Sequence, residues 1–256
     1  MKVVPVPVRQ DNYSYLLIDT ATKKAAAVDS FDLPKLHDVA LQLGVDIVAN
    51  LTTHHHFDHS GGNKALKYPS VPIYGGSDKI PALTNLVKDK DEFTLGDNLQ
   101  IKCLATSCHT QDSICYYFID KADPSFPGGV LTGDTLFIGG CGRFFEGTGE
   151  EMVRALNYLG ALPEQTVVYN GHEYTASNAA FAKSVDPNNP AVAKLEALAK
   201  ENKITTGLST IGDEKEWNVF MRTSSEAVRK ATGVTQTAPD SQVMDALREL
   251  KNNFRG

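Results

Sequence analysis

The chain has 256 residues, 41% of them hydrophobic, which suffices to bury one sizeable core and leaves room for a second small domain. A net charge of −6 excludes whole-chain attraction to nucleic acid or to an anionic membrane surface, so an anionic ligand has to be met by a local cluster of basic residues. No stretch approaches a transmembrane span. The opening Met1-Lys2-Val3-Val4-Pro5-Val6-Pro7-Val8 is too short an apolar run for a secretory signal and lacks the character of a transit peptide, so a cytoplasmic location is expected.

Short strands come first, over Val3 to Val8, Tyr13 to Ile18 and Ala25 to Asp29, the first of them an edge strand because prolines are tolerated there. Pro34 to Leu43 changes period, with Leu36, Val39, Ala40 and Leu43 on one face of an amphipathic helix that Gly44 stops. The apolar run Ile47 to Thr52 reads as a buried strand leading into Thr53-His54-His55-His56-Phe57-Asp58-His59. Ser60-Gly61-Gly62 then turns the chain toward a helix around Asn63 to Leu66. A strand at Val71 to Tyr74 precedes a Lys- and Asp-rich loop ending at Gly96-Asp97, read as solvated surface. Leu99 to Cys103, Ser113 to Ile119, Val130 to Thr132 and Thr166 to Tyr169 are strands, and Glu150 to Leu159 is a helix.

Beyond about residue 175 the strand signals fade. Thr175 to Val185, Ala191 to Lys203, Ser225 to Lys230 and a last segment capped by Asp240 read as helices, with the only tryptophan, Trp217, on a loop. The expected architecture is α+β: two β-sheets packed face to face with helices outside, followed by a small all-helical domain. The four cysteines, Cys103, Cys108, Cys115 and Cys141, form no CxxC pair, which fits packing roles in a reducing compartment.

The chemistry centres on the histidine-rich stretch, which places four potential metal ligands within six residues at the end of a strand. In extended backbone, residues i and i+2 share a face, so His54 and His56 point together and His55 points away. Asp58 and His59 come two and three residues later, where Ser60-Gly61-Gly62 lets the chain turn tightly, so they approach a different point. Six of the seven histidines lie in this stretch or at strand ends. His109, Asp134 and His172 each follow a separate apolar strand, where rigid elements can converge side chains on a ligand. Singly, each has an ordinary structural explanation, as a turn cap, a helix cap or a buried histidine. Together with the motif they make a ligand set for two ions, one carboxylate shared. Imidazole with carboxylate suits zinc, iron or manganese rather than magnesium or calcium. Two such ions about 3.5–4 Å apart orient an attacking hydroxide and polarise a carbonyl, so the reaction class is hydrolysis.

Thr53-His54-His55-His56-Phe57-Asp58-His59 with Gly61-Gly62-Asn63 resembles the metallo-β-lactamase superfamily signature in the form used by glyoxalase II, the hydroxyacylglutathione hydrolases. Gly133-Asp134-Thr135-Leu136-Phe137, the run from Gly140-Cys141-Gly142-Arg143 to Thr148, Gly171-His172-Glu173-Tyr174-Thr175 and Phe220-Met221-Arg222 are similar to that family and more specific than the histidine core. The resemblance implies the αββα metallo-β-lactamase-like sandwich over residues 1–175 and a helical glutathione-binding domain over residues 176–256. It implies that His54, His56 and His109 hold one ion and that Asp58, His59 and His172 hold the other, with Asp134 bridging. The two divalent ions are expected to be Zn2+, with iron or manganese as substitutes. A metal-bridging hydroxide would attack the thioester of S-D-lactoylglutathione, releasing glutathione and D-lactate, the second step of methylglyoxal detoxification. Asp134 and Asp58 are the catalytic carboxylates in that scheme, Asp58 as proton acceptor.

The same resemblance assigns substrate binding to Arg143, Phe145, His172, Tyr174, Arg248 and Lys251. This agrees with the positive charge that a dianionic peptide needs on an acidic protein. Read without the family, Arg248 and Lys251 are a solvated helix face. Phe145 stands where the family often has Tyr and Arg143 where Lys is common, while Ser107 and Val219 replace prolines. A monomer acting on a small-molecule thioester, without nucleic acid or membrane, is expected. The competing activity is a mononuclear-iron persulfide dioxygenase of the same superfamily. A binding module without turnover is the non-enzymatic reading.

Overall fold

The computed structural model describes residues 1–66 and 71–256, which form two compact units, residues 1–105 with 112–133 and residues 106–111 with 134–256. In the first unit β1 (Lys2–Val8), β2 (Asn12–Asp19) and β3 (Lys24–Val28) form an antiparallel meander. β3 then pairs in parallel with β4 (Asp46–Leu51), which requires a crossover, supplied by α1 (Leu33–Leu43). Asp32 caps α1 by accepting from the Lys35 N–H, and Gly44 ends it in the left-handed conformation at φ 64°. The helix buries Leu36 and Ala40 against Val6, Val8, Leu16, Ile18 and Ala27 of the sheet.

The chain continues through α2 (Phe57–Ser60) and a 3-10 turn at Asn63–Leu66. Next come β5 (Ile73–Gly75) and β6 (Asn85–Leu86), both parallel, which complete the order β1-β2-β3-β4-β5-β6. β7 (Glu92–Leu95), β8 (Leu99–Ala105), β9 (Ile114–Asp120) and β10 (Gly129–Gly133) make an antiparallel second sheet. The two layers meet where the fully buried Tyr116 of β9 donates from its hydroxyl to the Thr52 carbonyl at 2.9 Å, and where Phe93 stacks on Tyr74. All eight residues of β2 are buried, as sheet strands covered on both faces must be. The Lys- and Asp-rich stretch expected to be loop therefore contains β6 and β7. Pairing to neighbours makes them strands despite runs too short for a period.

The second unit begins with a hairpin that carried no sequence signal, β11 (Leu136–Phe137) and β12 (Gly140–Cys141). α3 (Gly149–Gly160) has a full capping box between Thr148 and Glu151. β13 (Val167–Asn170) follows, bridged to Thr210, and the rest is helical: α4 (Thr175–Val185), α5 (Pro190–Glu201), α6 (Ile211–Trp217), α7 (Glu226–Thr232) and α8 (Asp240–Asn253). Trp217 thus ends a helix rather than lying on a loop, because Thr210 and Asp213 form a second capping box that starts α6. Pro239, not Asp240, is the N-cap of α8; the Asp240 carboxylate is drawn instead to Arg229 at 2.6 Å. α8 packs on α3 and α7 and buries Val243, Met244 and Leu247, while Leu250 is exposed.

Candidate metal centre and substrate cavity

In the first unit β4 stops at Leu51, and residues 52–56 leave it in irregular backbone rather than as the expected strand extension. What directs the histidines is Asp29, just past β3. Its Oδ1 accepts from the Thr53 N–H at 2.8 Å, and its Oδ2 accepts from Thr53 Oγ1 at 2.7 Å and from His59 Nδ1 at 2.9 Å. Since the single Thr53 hydroxyl proton goes to Asp29, His54 Nδ1, 3.0 Å from Thr53 Oγ1, is the donor in that contact. His54 and His59 are therefore held with Nδ1 protonated and an Nε2 lone pair available, the second-sphere arrangement that metal-ligating imidazoles use.

His54 Nε2 and His56 Nδ1 come within 3.0 Å of each other, so these two rings do turn to one point. His55 turns away, its Nδ1 2.8 Å from Asp112 Oδ1, and Asp112 accepts from Ser77 through its other oxygen. Asp58 and His59 lie within α2 itself, a helical turn that begins before the expected Ser60-Gly61-Gly62 turn. Asn12 Nδ2 donates to Asp58 Oδ2 at 2.9 Å. Gly62 is required behind them, since a Cβ there would lie 1.8 Å from the Ser30 carbonyl oxygen.

In the second unit His109, Asp134 and His172 converge. Asp134 Oδ2 lies 3.4 Å from His109 Nε2 and 3.3 Å from His172 Nε2. The Arg143 carbonyl accepts from His109 Nδ1 at 2.9 Å, which again leaves Nε2 as the lone-pair nitrogen. Gly142 permits this approach: a Cβ would lie 2.0 Å from the Asp134 carbonyl oxygen. His172 stacks on Tyr174 with centroids 4.8 Å apart, and Phe137 meets both rings edge-on.

The residues able to hold a metal ion include His54, His56, Asp58 and His59 in the first unit and His109, Asp134 and His172 in the second. Buried imidazoles with their second nitrogens already engaged, plus carboxylates, fit a borderline divalent cation and lack the oxygen shell that calcium or magnesium takes.

The second unit also holds a cavity of about 520 Å³, lined by Arg143, Phe145, Tyr174, Ser177, Arg248 and Lys251 together with His109 and Asp134. Arg248 is buried rather than on a solvated face, donating from Nη1 to the Cys141 carbonyl at 3.0 Å. Lys251 Nζ donates to Ser177 O and Oγ, both at 2.8 Å, and lies over the Phe181 and Phe254 rings. Burial, aided by the Arg248 charge, pushes the Lys251 ammonium down to about 8. Burial pushes the Cys103, Cys108 and Cys141 thiols up to about 12, so they are inert as thiolates.

Sequence reasoning missed Asp29, Asn12 and Ser177. Asp29 sits at the end of an expected strand, but nothing in its own surroundings marks it as a histidine partner.

Among solved structures, a metallo-β-lactamase from Staphylococcus aureus superposes with a TM-score of 0.65 at 23% identity, covering 94% of this chain and 68% of that one. That likeness shows the fold alone, the metallo-β-lactamase fold, and the His and Asp clusters make the chain a candidate metal-binding protein of that fold. Residues 173–254 match the family described as hydroxyacylglutathione hydrolase C-terminus. A probable hydroxyacylglutathione hydrolase of Schizosaccharomyces pombe is 46% identical, over 98% of each chain. The cytoplasmic hydroxyacylglutathione hydrolase of Arabidopsis thaliana is 42% identical over 98% of this chain and 97% of its own. The chain belongs to the hydroxyacylglutathione hydrolase family, glyoxalase II.

Proposed function

We propose that the protein is a hydroxyacylglutathione hydrolase that cleaves S-D-lactoylglutathione to glutathione and D-lactate, the glyoxalase II step of methylglyoxal detoxification. The observation that carries this is identity of 46% over 98% of both chains with a probable hydroxyacylglutathione hydrolase, extending through the C-terminal helices. In this reading His54, His56 and His109 hold one divalent ion, Asp58, His59 and His172 hold a second, and Asp134 serves both. Zn2+ suits the donor set best, with iron or manganese acceptable. Such ions supply Lewis acidity toward the thioester carbonyl and make a water nucleophilic at neutral pH.

The side chains do the rest. Asp58, with one oxygen fixed by Asn12, orients the attacking water and accepts its proton. Asp29 and the Arg143 carbonyl keep His54, His59 and His109 in the tautomer whose Nε2 is free of a proton. Arg143, Arg248 and Lys251 meet the carboxylates of the peptide. Phe145 and Tyr174 border the glutathione peptide beside them, and His172 also contacts the substrate. A thiolate departs without a strong general acid, so no further proton donor is required. Functionally, residues 1–175 act as the catalytic domain and residues 176–256 as the helical substrate-binding domain.

The Arabidopsis relative is named cytoplasmic, and no described helix is long and apolar enough to cross a membrane; a cytoplasmic monomer is the proposed working form.

The test is hydrolysis of S-D-lactoylglutathione by the purified protein, with metal content measured on the same sample. Thiol release with about two metals per chain supports the assignment. A metal-filled protein that releases no thiol, and instead consumes oxygen with glutathione persulfide, overturns it.

A further inference from the structure

The hairpin of β11 and β12 has a tip that hairpin tips seldom have: Ile138 is completely buried, and Gly139 and Gly140 are buried beside it. Buried turn backbone has to find hydrogen-bond partners, and here they come from side chains of two helices. Glu214 Oε2 of α6 accepts from the Gly139 N–H at 2.8 Å. Asn218, just after α6, donates from Nδ2 to Gly140 O at 3.0 Å and lies 3.4 Å from Phe137 O; it also donates to Glu214 Oε2 at 3.0 Å. Asn178 of α4 donates to Ile138 O at 3.0 Å. The tip calls for glycine: Gly139 sits at φ 71°, and an added Cβ would lie 2.6 Å from Leu195 Cδ2 of α5. The residues on either side of this tip are the ones that face the cavity. Phe137 lies edge-on to His172 and Tyr174, with centroids 5.9 and 5.2 Å away, and the Cys141 carbonyl holds Arg248.

We propose that Glu214, with Asn218, is a positioning residue for substrate binding: from α6 it fixes the buried Ile138-Gly139 turn and through it sets the Phe137 ring and the Arg248 guanidinium in the cavity. The inference rests on the substrate site proposed above. Neither residue lines the cavity, so an effect on binding is indirect, through the turn or, for Asn218, also through Phe220, whose N–H it caps and over whose ring Arg248 lies at 5.4 Å. A buried carboxylic group is a demanding choice for this post. Burial outweighs the bonds from Gly139 and Asn218 and pushes the Glu214 carboxyl up to about 7. An amide-sized acceptor would hold the turn equally well, which makes Glu214→Gln the informative conservative variant.

The experiment compares Glu214→Ala, Glu214→Gln and Asn218→Ser with wild type in the metal-loaded full chain, reading KM and kcat for S-D-lactoylglutathione, metal content and amide hydrogen exchange over residues 137–143. Val228→Ala, a core truncation in α7 away from the turn, controls for lost stability alone. Glu214→Ala is expected to raise KM about tenfold, change kcat less than about threefold and speed exchange of the 137–143 segment, with metal content unchanged. Glu214→Gln is expected to restore KM to within about threefold of wild type, since its amide oxygen can accept from Gly139 and Asn218. Should Glu214→Ala not fold, Asn218→Ser carries the test: a hydroxyl can still cap the Phe220 N–H while the amide donors to the turn are gone.

Unchanged KM and exchange in the folded variants overturn the inference while leaving the assigned reaction standing. So does an equal KM rise in Val228→Ala. A wild type without turnover overturns the assigned reaction and this inference together.

Discussion

The metal-ligand stretch and the substrate cavity follow opposite plans. His54, His56, Asp58 and His59 sit in one short segment, and one buried carboxylate, Asp29, disciplines the backbone and two of the rings. The cavity is assembled from His109 and residues 134–145, 174–178 and 248–255, and two of its cations are held by backbone carbonyls: Arg248 by Cys141, Lys251 by Ser177. Among the described residues neither cation has a carboxylate partner. A carbonyl fixes a cation without neutralising it, so the charge remains available to an anionic ligand. In the His54 to His59 stretch a carboxylate fixes the protons of the imidazoles; an anion site needs unspent positive charge, which a carboxylate would cancel.

Four outcomes break or sharpen this contrast. The largest is expected from Asp134→Asn, which removes the charge on which His109 and His172 converge. Turnover should fall roughly a thousandfold or more while Tm stays within a few degrees, and wild-type kcat with wild-type metal content would refute the shared-carboxylate role.

Asp29→Asn comes next. It leaves all ligands in place but puts an amide donor against either the Thr53 N–H or the His59 N–H, so metal affinity should drop about 10–100-fold in a chelator competition. Undiminished affinity would show that the loop holds itself without Asp29.

Lys251→Ala should raise KM about tenfold at unchanged metal content, the loss of one charge-assisted contact. The same lysine gives a pH signature. Its folded pKa is pushed down to about 8, so the ammonium that attracts the substrate is present below that pH and is lost above it. KM should therefore climb as pH rises through about 8, and Lys251→Arg should flatten the climb. A KM profile identical in wild type and Lys251→Arg would assign the anion contact elsewhere.

The smallest effect is expected at Phe145, which is 61% exposed on the cavity rim. Phe145→Tyr adds a hydroxyl that can bond the peptide and should lower KM about two- to tenfold, with kcat unaltered, as measured by initial rates.

The elements that could be read from the chain were those with a repeating pattern of their own. α1 and α4 carry a helical period or clear boundaries, β2 carries apolar content that suits a sheet interior, and β8 alternates apolar with polar residues as a half-buried strand does. β6, β7 and the β11–β12 hairpin span two to four residues each and exist only because a neighbour pairs with them, so no local rule announces them. α6 is different: its capping box, Thr210 with Asp213, stood in the sequence, but the helix behind it is too short to show a period. The reading of Arg248 and Lys251 as a solvated face fails for a related reason. Their spacing on α8 says which residues share a face, not whether Tyr174, Phe254 and the Cys141 carbonyl lie over it.

By itself the sequence determined the donor types, the local spacing of the His54 to His59 ligands, the family and the reaction class, because chelation within a few residues of a strand end is a matter of covalent spacing. Tertiary structure alone decided which nitrogen of His54, His59 and His109 donates to the protein, what accepts from it, and which basic side chains keep their charge for a ligand. Those are properties of hydrogen bonds between residues tens of positions apart, and of burial, which no short window of sequence contains.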